Sequence, residues 1–480
     1  MADTFALDCD FMVFSSLIFL YRFLPICILL YYIMPSIKLK NYVLVGMSLI
    51  FYAWGEPVFV LLLIASACAN FFFGKLVGKQ DERSKLWFIL SVVFNLGLLV
   101  VFKYTDFLIG TVNGVLGTAI PLTGIALPIG ISFYTFQTLS YVIDVRRGKV
   151  PVQESFVDFL LFVSLFPQLI AGPILRYEEI APQLKRRRIH SEDAFYGVTR
   201  FCIGLGKKVL IANYTGSVAS QLLDGTMSSQ TTVGVWLGVV MFSLQIYFDF
   251  SGYSDMAIGL GRMFGFHYGE NFDLPYQSKS ATEFWRRWHI SLGSFFRDYV
   301  YIPLGGNRKH QMLNLLVVWF LTGLWHGASW NFVLWGLYFG ALIVAEKYTM
   351  DKLEKIPAAV RHIVMIFVIL FGWTLFYFTD FSQLRAALGV MFGGGAGFLD
   401  AKTKIQLTNN LLLLIVGVLG STALPRTVGL RFTALCTAKN QRVWNIAFLA
   451  VVFAFDLGLL LLSTVSLVGS SFNPFLYFRF

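Results

Sequence analysis

Apolar runs of roughly twenty residues recur along the chain, long enough to cross a hydrocarbon core about 30 Å thick. They lie at 11–33, 41–55, 57–74, 86–108 and 125–144, then at 233–265, 362–379, 407–424 and 443–466. Three other stretches depart from this rhythm. Residues 156–175, FVDFLLFVSLFPQLIAGPIL, are apolar but carry Pro167 and the pair Gly172-Pro173, which break a continuous helix. Residues 282–309, TEFWRRWHISLGSFFRDYVYIPLGGNRK, are aromatic and basic, too charged to face lipid. They fit a helix packed inside the protein or lying at the inner interface, followed by a Gly-Gly turn. Residues 311–345 are mostly apolar and would measure roughly 52 Å as one helix, more than one crossing, so a break is predicted at Gly327-Ala328-Ser329. The pattern predicts an all-α polytopic integral membrane protein of about 10–13 membrane elements, some re-entrant. A single membrane-embedded domain over residues 1–480 is expected, because no linker or internal repeat interrupts it.

The basic residues orient these elements. Lys and Arg cluster in the connections after 33, 74 and 144, which places those ends on the cytoplasmic side. The segment 156–175 has such a cluster on both flanks: Arg146, Arg147 and Lys149 before it, Arg176 and Lys185 to Arg188 after it. A segment with both ends inside is not a simple crossing, so it reads as a re-entrant or protein-buried element, tolerated where broken backbone lines a cavity. A miscounted neighbouring span is the alternative.

Composition agrees with the pattern: 57% of residues are hydrophobic and 14% charged, against about 25% charged in a soluble domain. The net charge of +11 does not point to nucleic acid, since it sits in the connections. Five cysteines (Cys9, Cys27, Cys68, Cys202, Cys436) form no CxxC pair and no metal-ligand spacing; the four in or beside apolar segments read as packing residues. No metal and no bound cofactor are expected. The first run lacks a basic leader and an A-x-A site, so it reads as a retained span. Met12 offers an alternative start, with residues 1–11 a dispensable extension.

Polar groups inside apolar stretches are where chemistry is sought. Gln245, Asp249, Ser251 and Asp255 fall within eleven positions, and Gln245, Asp249 and Asp255 are expected to form a buried polar network. Of six histidines, His190, His310 and His362 lie in or beside basic connections and read as solvated. His267 lies in the loop GFHYGENFDLPY, where packing and function are equally open. His289 and His326 are set among aromatic residues. Counting turns from a cytoplasmic start at Arg308-Lys309 puts His326 roughly 22 Å along its helix, in the outer half of the bilayer. Neutral imidazole there can accept a proton, bind an ion or satisfy a core contact.

Two motifs, FWRRWHISLGSFFRDYVYIPLGGNR (284–308) and LTGLWHGASWNFVLWG (321–336), resemble the membrane-bound O-acyltransferase family, in particular its bacterial polysaccharide-acetylating branch. Further likeness lies in ISFYTFQTLSYVIDVRRG (131–148), FPQLIAGPILRY (166–177), YFDFSGYSDMAIGLGRMFGF (247–266) and the terminal PFLYFRF, so it covers nearly the whole chain. The resemblance implies a ring of tilted helices around a central passage, entered by an acyl donor from the cytoplasm and by an acceptor hydroxyl from the other face. It implies that His326 is the catalytic histidine and that His289 is a second site histidine nearer the cytoplasm. Relatives of this branch work with an extracytoplasmic partner protein that completes transfer to a polysaccharide, from acetyl-CoA, in the bacterial cytoplasmic (inner) membrane.

Acyl transfer from a thioester to a hydroxyl needs a base for the attacking O–H and a stabiliser for the oxyanion. Neutral His326 fits the first role. Arg286, Arg287 and Arg297 are candidates for attracting the phosphates of the donor, against plain positive-inside anchoring. Trp285 and Trp288 are candidates for stacking on its adenine, against packing. D-alanyl transfer to teichoic acid is the alternative within the enzyme class, and a polysaccharide flippase the alternative outside it.

Overall fold

The computed structural model describes residues 12–170, 172–437, 442–470 and 472–476. The expected extension 1–11, Cys9, Lys439 and the last four residues of PFLYFRF lie outside them. Regular structure among the described residues is helical, with no strand. The chain forms two compact units, Met1–Phe201 with Ser254–Gly269, and Cys202–Tyr253 with Glu270–Phe480.

The first unit contains α1 (Phe19–Ile33), α2 (Ile37–Gly55), α3 (Phe59–Gly78), α4 (Ser84–Leu116), α5 (Ile131–Arg146), α6 (Phe156–Ser164) and α7 (Tyr177–Lys185). The first apolar run becomes helical at Leu17, later than the run's start at residue 11. Phe14, Phe19, Phe51 and Phe166 form an aromatic cluster with ring centroids 4.9 to 6.2 Å apart. Three helices are joined by buried polar contacts: Asn95 and Asn70 exchange side-chain hydrogen bonds of 2.7 and 3.1 Å, and Thr138 donates to Asn95 Oδ1 at 3.0 Å. Water is scarce at membrane depth, so each amide is satisfied by another helix.

The segment 156–175 is broken and protein-buried. Helix α6 stops at Leu165 (φ −54°, ψ 112°), and a single further turn, Phe166–Leu169, starts with Pro167 in its first positions, where no amide donor is required. Residues 159–170 are all buried. This is the protein-buried form of the expected broken element.

Helices α8 (Ser191–Gly206) and α10 (Thr232–Met263) contribute residues to both units, and α9 (Asn213–Leu223) belongs to the second. The second unit continues with α11 (Ala281–Arg287), α12 (Ile290–Phe296), α13 (Gln311–His326), α14 (Trp330–Leu353), α15 (Ala358–Tyr377), α16 (Phe381–Met391), α17 (Ala401–Asn409), α18 (Leu411–Gly420), α19 (Leu424–Thr437) and α20 (Arg442–Gly469). The basic aromatic stretch expected as one helix is two short ones, parted at Trp288-His289. The long apolar run after it breaks where predicted, between His326 and Trp330. Among the described residues, five helices are long and apolar enough to cross a membrane, or six if the bent pair α17–α18 (55°) counts as one span. The other elements counted in the sequence are shorter or more charged helices.

Helices α13 and α14 pack unusually closely. A Cβ at Gly336 would lie 2.3 Å from the Trp319 carbonyl oxygen, and one at Gly323 would lie 2.3 Å from that of Phe332. Small residues let backbones approach where lipid supplies no hydrophobic drive for helix association. That approach presents the end of α13 to the side chains of α14 and α15.

Candidate functional site

His326 is the last residue of α13, 2% exposed. The helix ends because Gly327 turns extended (φ −177°) and Ser329 starts α14 from the β region. A Cβ at position 327 would lie 2.2 Å from the Phe332 ring, so the triplet Trp325-His326-Gly327 suits a tight break. Around the imidazole stand Trp325 and Trp335, each with ring centroid at 4.9 Å, and Phe376 at 5.5 Å, all edge-on. The Trp335 indole N–H is fully buried and has no acceptor among the described residues, and the same holds for the Trp285 N–H.

His289 sits between α11 and α12, 1% exposed, with a left-handed backbone (φ 45°, ψ 55°). A non-glycine residue there stores about 1–3 kcal/mol of strain and persists only where neighbours over-determine it. The neighbours are specific. Ile290 N–H donates to the Asn271 carbonyl at 3.0 Å, and Ser291 N–H donates to Asn271 Oδ1 at 3.2 Å. The same Oδ1 lies 2.8 Å from Ser291 Oγ and 3.2 Å from His289 Nδ1. Phe250 meets the imidazole edge-on at 4.6 Å and Trp325 at 5.8 Å. Trp325 thus touches both histidine rings, and His326 is close enough to act electrostatically on His289.

The other candidates divide. Arg287 is committed within the protein: to Glu283 at 3.0 Å, and to Asp273 through its carboxylate at 3.5 Å and its carbonyl at 3.1 Å. Arg297 forks onto the adjoining Asp298 at 2.7 and 3.1 Å, and that hydrogen bond holds its guanidinium still more firmly protonated. Arg286 is exposed, with no hydrogen bond or ion pair among the described residues. Trp288 is 1% exposed and packs on Trp373 at 4.8 Å and Phe272 at 5.0 Å. Trp285 packs on Trp319 at 4.7 Å and Phe339 at 5.0 Å.

Gln245, Asp249 and Asp255 are all buried, but the two carboxylates answer to different partners. Asp255 pairs with Arg200 at 2.6 Å within the first unit, while Asp249 pairs with Lys208 at 2.7 Å within the second. Gln245 lies against Gly216 on α9. The remaining histidines are exposed or half-buried.

Sequence reasoning passed over Asn271, Ser291, Trp335 and Lys208. Asn271 lies in the Gly- and Pro-punctuated loop before Pro275, where a polar residue reads as solvated; it is wholly buried. Lys208 did carry a signal, as a cation inside the apolar stretch FCIGLGKKVLIA.

With helical structure and several spanning-length helices among its described residues, the chain is a multi-pass membrane protein. Residues 150–384 match the model of MBOAT, the membrane-bound O-acyltransferase family. The chain is 39% identical to a probable alginate O-acetylase of Azotobacter vinelandii, over 98% of this chain and all of the relative. It is 30% identical to a peptidoglycan O-acetyltransferase of Helicobacter pylori over 98% of each. Against a teichoic acid D-alanyltransferase of Bacillus subtilis the identity is 28%, over 53% of this chain and 68% of that one. The chain belongs to the membrane-bound O-acyltransferase family and is an O-acyltransferase.

Proposed function

We propose that the protein moves an acetyl group from cytoplasmic acetyl-CoA across the bacterial cytoplasmic membrane toward hydroxyls of an extracytoplasmic polysaccharide, with His326 as general base. The observation that carries this reading is the end of α13: a buried imidazole at a break between two tightly packed membrane helices, ringed by aromatic side chains, one of which also touches His289. The full-length likeness to relatives named for O-acetylation of alginate and peptidoglycan supports the acyl group and the acceptor class.

In this mechanism His326 takes the proton of the acceptor hydroxyl as its oxygen attacks the thioester carbonyl. The tetrahedral intermediate collapses, the C–S bond breaks, and the imidazolium returns the proton to the leaving thiolate. The buried Trp335 N–H beside His326 is a donor for the developing oxyanion, and in a dry site such a donor is worth more than in water. Only the acetyl group crosses, since the charged coenzyme stays on the cytoplasmic side. The immediate acceptor is a hydroxyl on a partner protein outside the membrane, which finishes transfer to the polymer. Arg286 is the arginine of the three still available to meet the donor's phosphates.

The test is glycan-bound acetate, released by mild base, from cells carrying wild type, His326→Ala or His289→Ala at matched membrane levels. Loss of acetate in His326→Ala with normal polymer export is expected. Retained acetate removes His326 from catalysis, and lost export favours a flippase. The relative named for teichoic acid supports a second reading, D-alanyl transfer; alanine in place of acetate in the wild-type sample would establish it.

A further inference from the structure

We propose that Asn271 is a positioning residue: it holds neutral His289 as the Nδ1–H tautomer, leaving the buried Nε2 lone pair to accept a hydrogen bond from a reactant. The proposal rests on the O-acyltransferase reading only for which reactant that is; the tautomer itself follows from donors and acceptors.

The assignment begins with an atom whose role is fixed. A backbone N–H can only donate, and Ser291 N–H points at the side-chain terminus of Asn271 at 3.2 Å, so that terminus is the amide oxygen, not the nitrogen. An amide oxygen can only accept. His289 Nδ1, 3.2 Å from the same oxygen, therefore carries the hydrogen when the ring is neutral. Ser291 Oγ, 2.8 Å from that oxygen and 3.4 Å from Nδ1, closes the triangle without offering Nδ1 a better donor. Nε2 is then the bare nitrogen; it is buried and has no hydrogen-bond partner among the described residues.

A second line of geometry agrees. The backbone carbonyl of Asn271 accepts from Ile290 while its side chain accepts from Ser291, so one residue pins both amides that follow His289. Those are the amides whose placement the left-handed backbone of His289 dictates. Asn271 thus fixes the ring's position, through the strained backbone, and its tautomer, through Nδ1. The remaining faces of the ring meet Phe250 and Trp325, and the titratable group facing it is His326.

The test has two arms. In the first, 15N spectra of histidine-labelled wild-type protein in lipid nanodiscs, with His289 assigned by its loss in His289→Gln, report the tautomer directly. Protonated Nδ1 with bare Nε2 is expected, and a protonated Nε2 with bare Nδ1 overturns the proposal. This arm needs no turnover, so it stands even if the wild type proves to transfer alanine or nothing. In the second arm, inside-out vesicles from producing cells release thiol from acetyl-CoA across a pH series. Asn271→Asp keeps the accepting oxygens but places a negative charge against the imidazole, favouring its protonated form. The acid limb of kcat should move up by about one pH unit with KM little changed. Asn271→Leu should lose kcat tenfold or more where it reaches the membrane. A pH profile of Asn271→Asp superimposable on wild type, or wild-type kcat in Asn271→Leu, overturns the proposal.

Discussion

The second unit holds two buried polar clusters that contrast sharply. Around Lys208 the charges are matched: its ammonium pairs with Asp249 at 2.7 Å and also donates to the Pro474 carbonyl, while Asp249 accepts from Leu476 N–H at 3.0 Å. Full charges are buried here, yet each is answered by an opposite charge or a backbone dipole, and the arrangement straps the C-terminal segment to α10. Around His289 and His326 the set is open. Nε2 of His289 and the indole N–H groups of Trp285 and Trp335 have no partners among the described residues. A buried polar group costs free energy when unmatched, so a cluster kept open marks a place where a reactant supplies the match. By this measure the ion pair is architecture, and the histidine cluster is where the proposed transfer would find its reactants.

Opposite substitutions separate the two most clearly. His326→Ala should lower acetyl transfer by roughly 10²–10⁴-fold, the span of a general base, at wild-type levels in the membrane. Lys208→Met leaves Asp249 buried against no cation and should cost about 3–5 kcal/mol of stability, read as earlier thermal unfolding of the solubilised protein. Adding Asp249→Leu to Lys208→Met removes the orphaned charge and should recover most of that loss. The contrast breaks if Lys208→Met unfolds like wild type and loses transfer instead, for then the ion pair acts in the reaction.

The contact of α13 with α14 gives a smaller effect. Gly323→Ala or Gly336→Ala drives a methyl into a facing carbonyl, and overpacking of this kind costs about 1–3 kcal/mol. Because that contact carries His326, transfer should fall along with unfolding temperature, whereas Gly429→Ala, where a Cβ meets nothing within 4 Å, should change neither.

What the sequence made legible follows from the physics of each signal. Helix breaks at Pro167 and after His326 could be placed because proline and glycine act locally, on the backbone that carries them. The split at Trp288-His289 was missed because a positive φ at histidine has no local signature; it is held by Asn271, eighteen positions earlier. Asp249 and Asp255 lie six positions apart on one helix and looked like one network, but each pairs with its own cation, Lys208 or Arg200, on an earlier helical stretch that hydropathy cannot pair with theirs. His326 and His289 stood out by their aromatic setting, but only motif resemblance gave them roles, since nothing in the hydropathy of α13 separates a reactive imidazole from a packed one.

The finest version of the same contrast lies in two adjacent arginines. Arg286 and Arg287 have identical chemistry and neighbouring positions, but the end of α11 turns Arg287 onto Glu283 and Asp273 and leaves Arg286 exposed. An arginine already forked onto carboxylates must break those bonds to meet a phosphate, so the uncommitted one should carry any contact with the donor. Arg286→Gln should raise KM for acetyl-CoA roughly two- to fivefold, the size an exposed ion pair supports, and leave unfolding unchanged. Arg287→Gln should do the reverse, costing less than about 1 kcal/mol because its partners are solvent-screened, with KM unmoved. Kinetics of both variants in inside-out vesicles decide it, and a larger KM effect in Arg287→Gln would mean that the donor, on binding, draws that arginine away from its carboxylates.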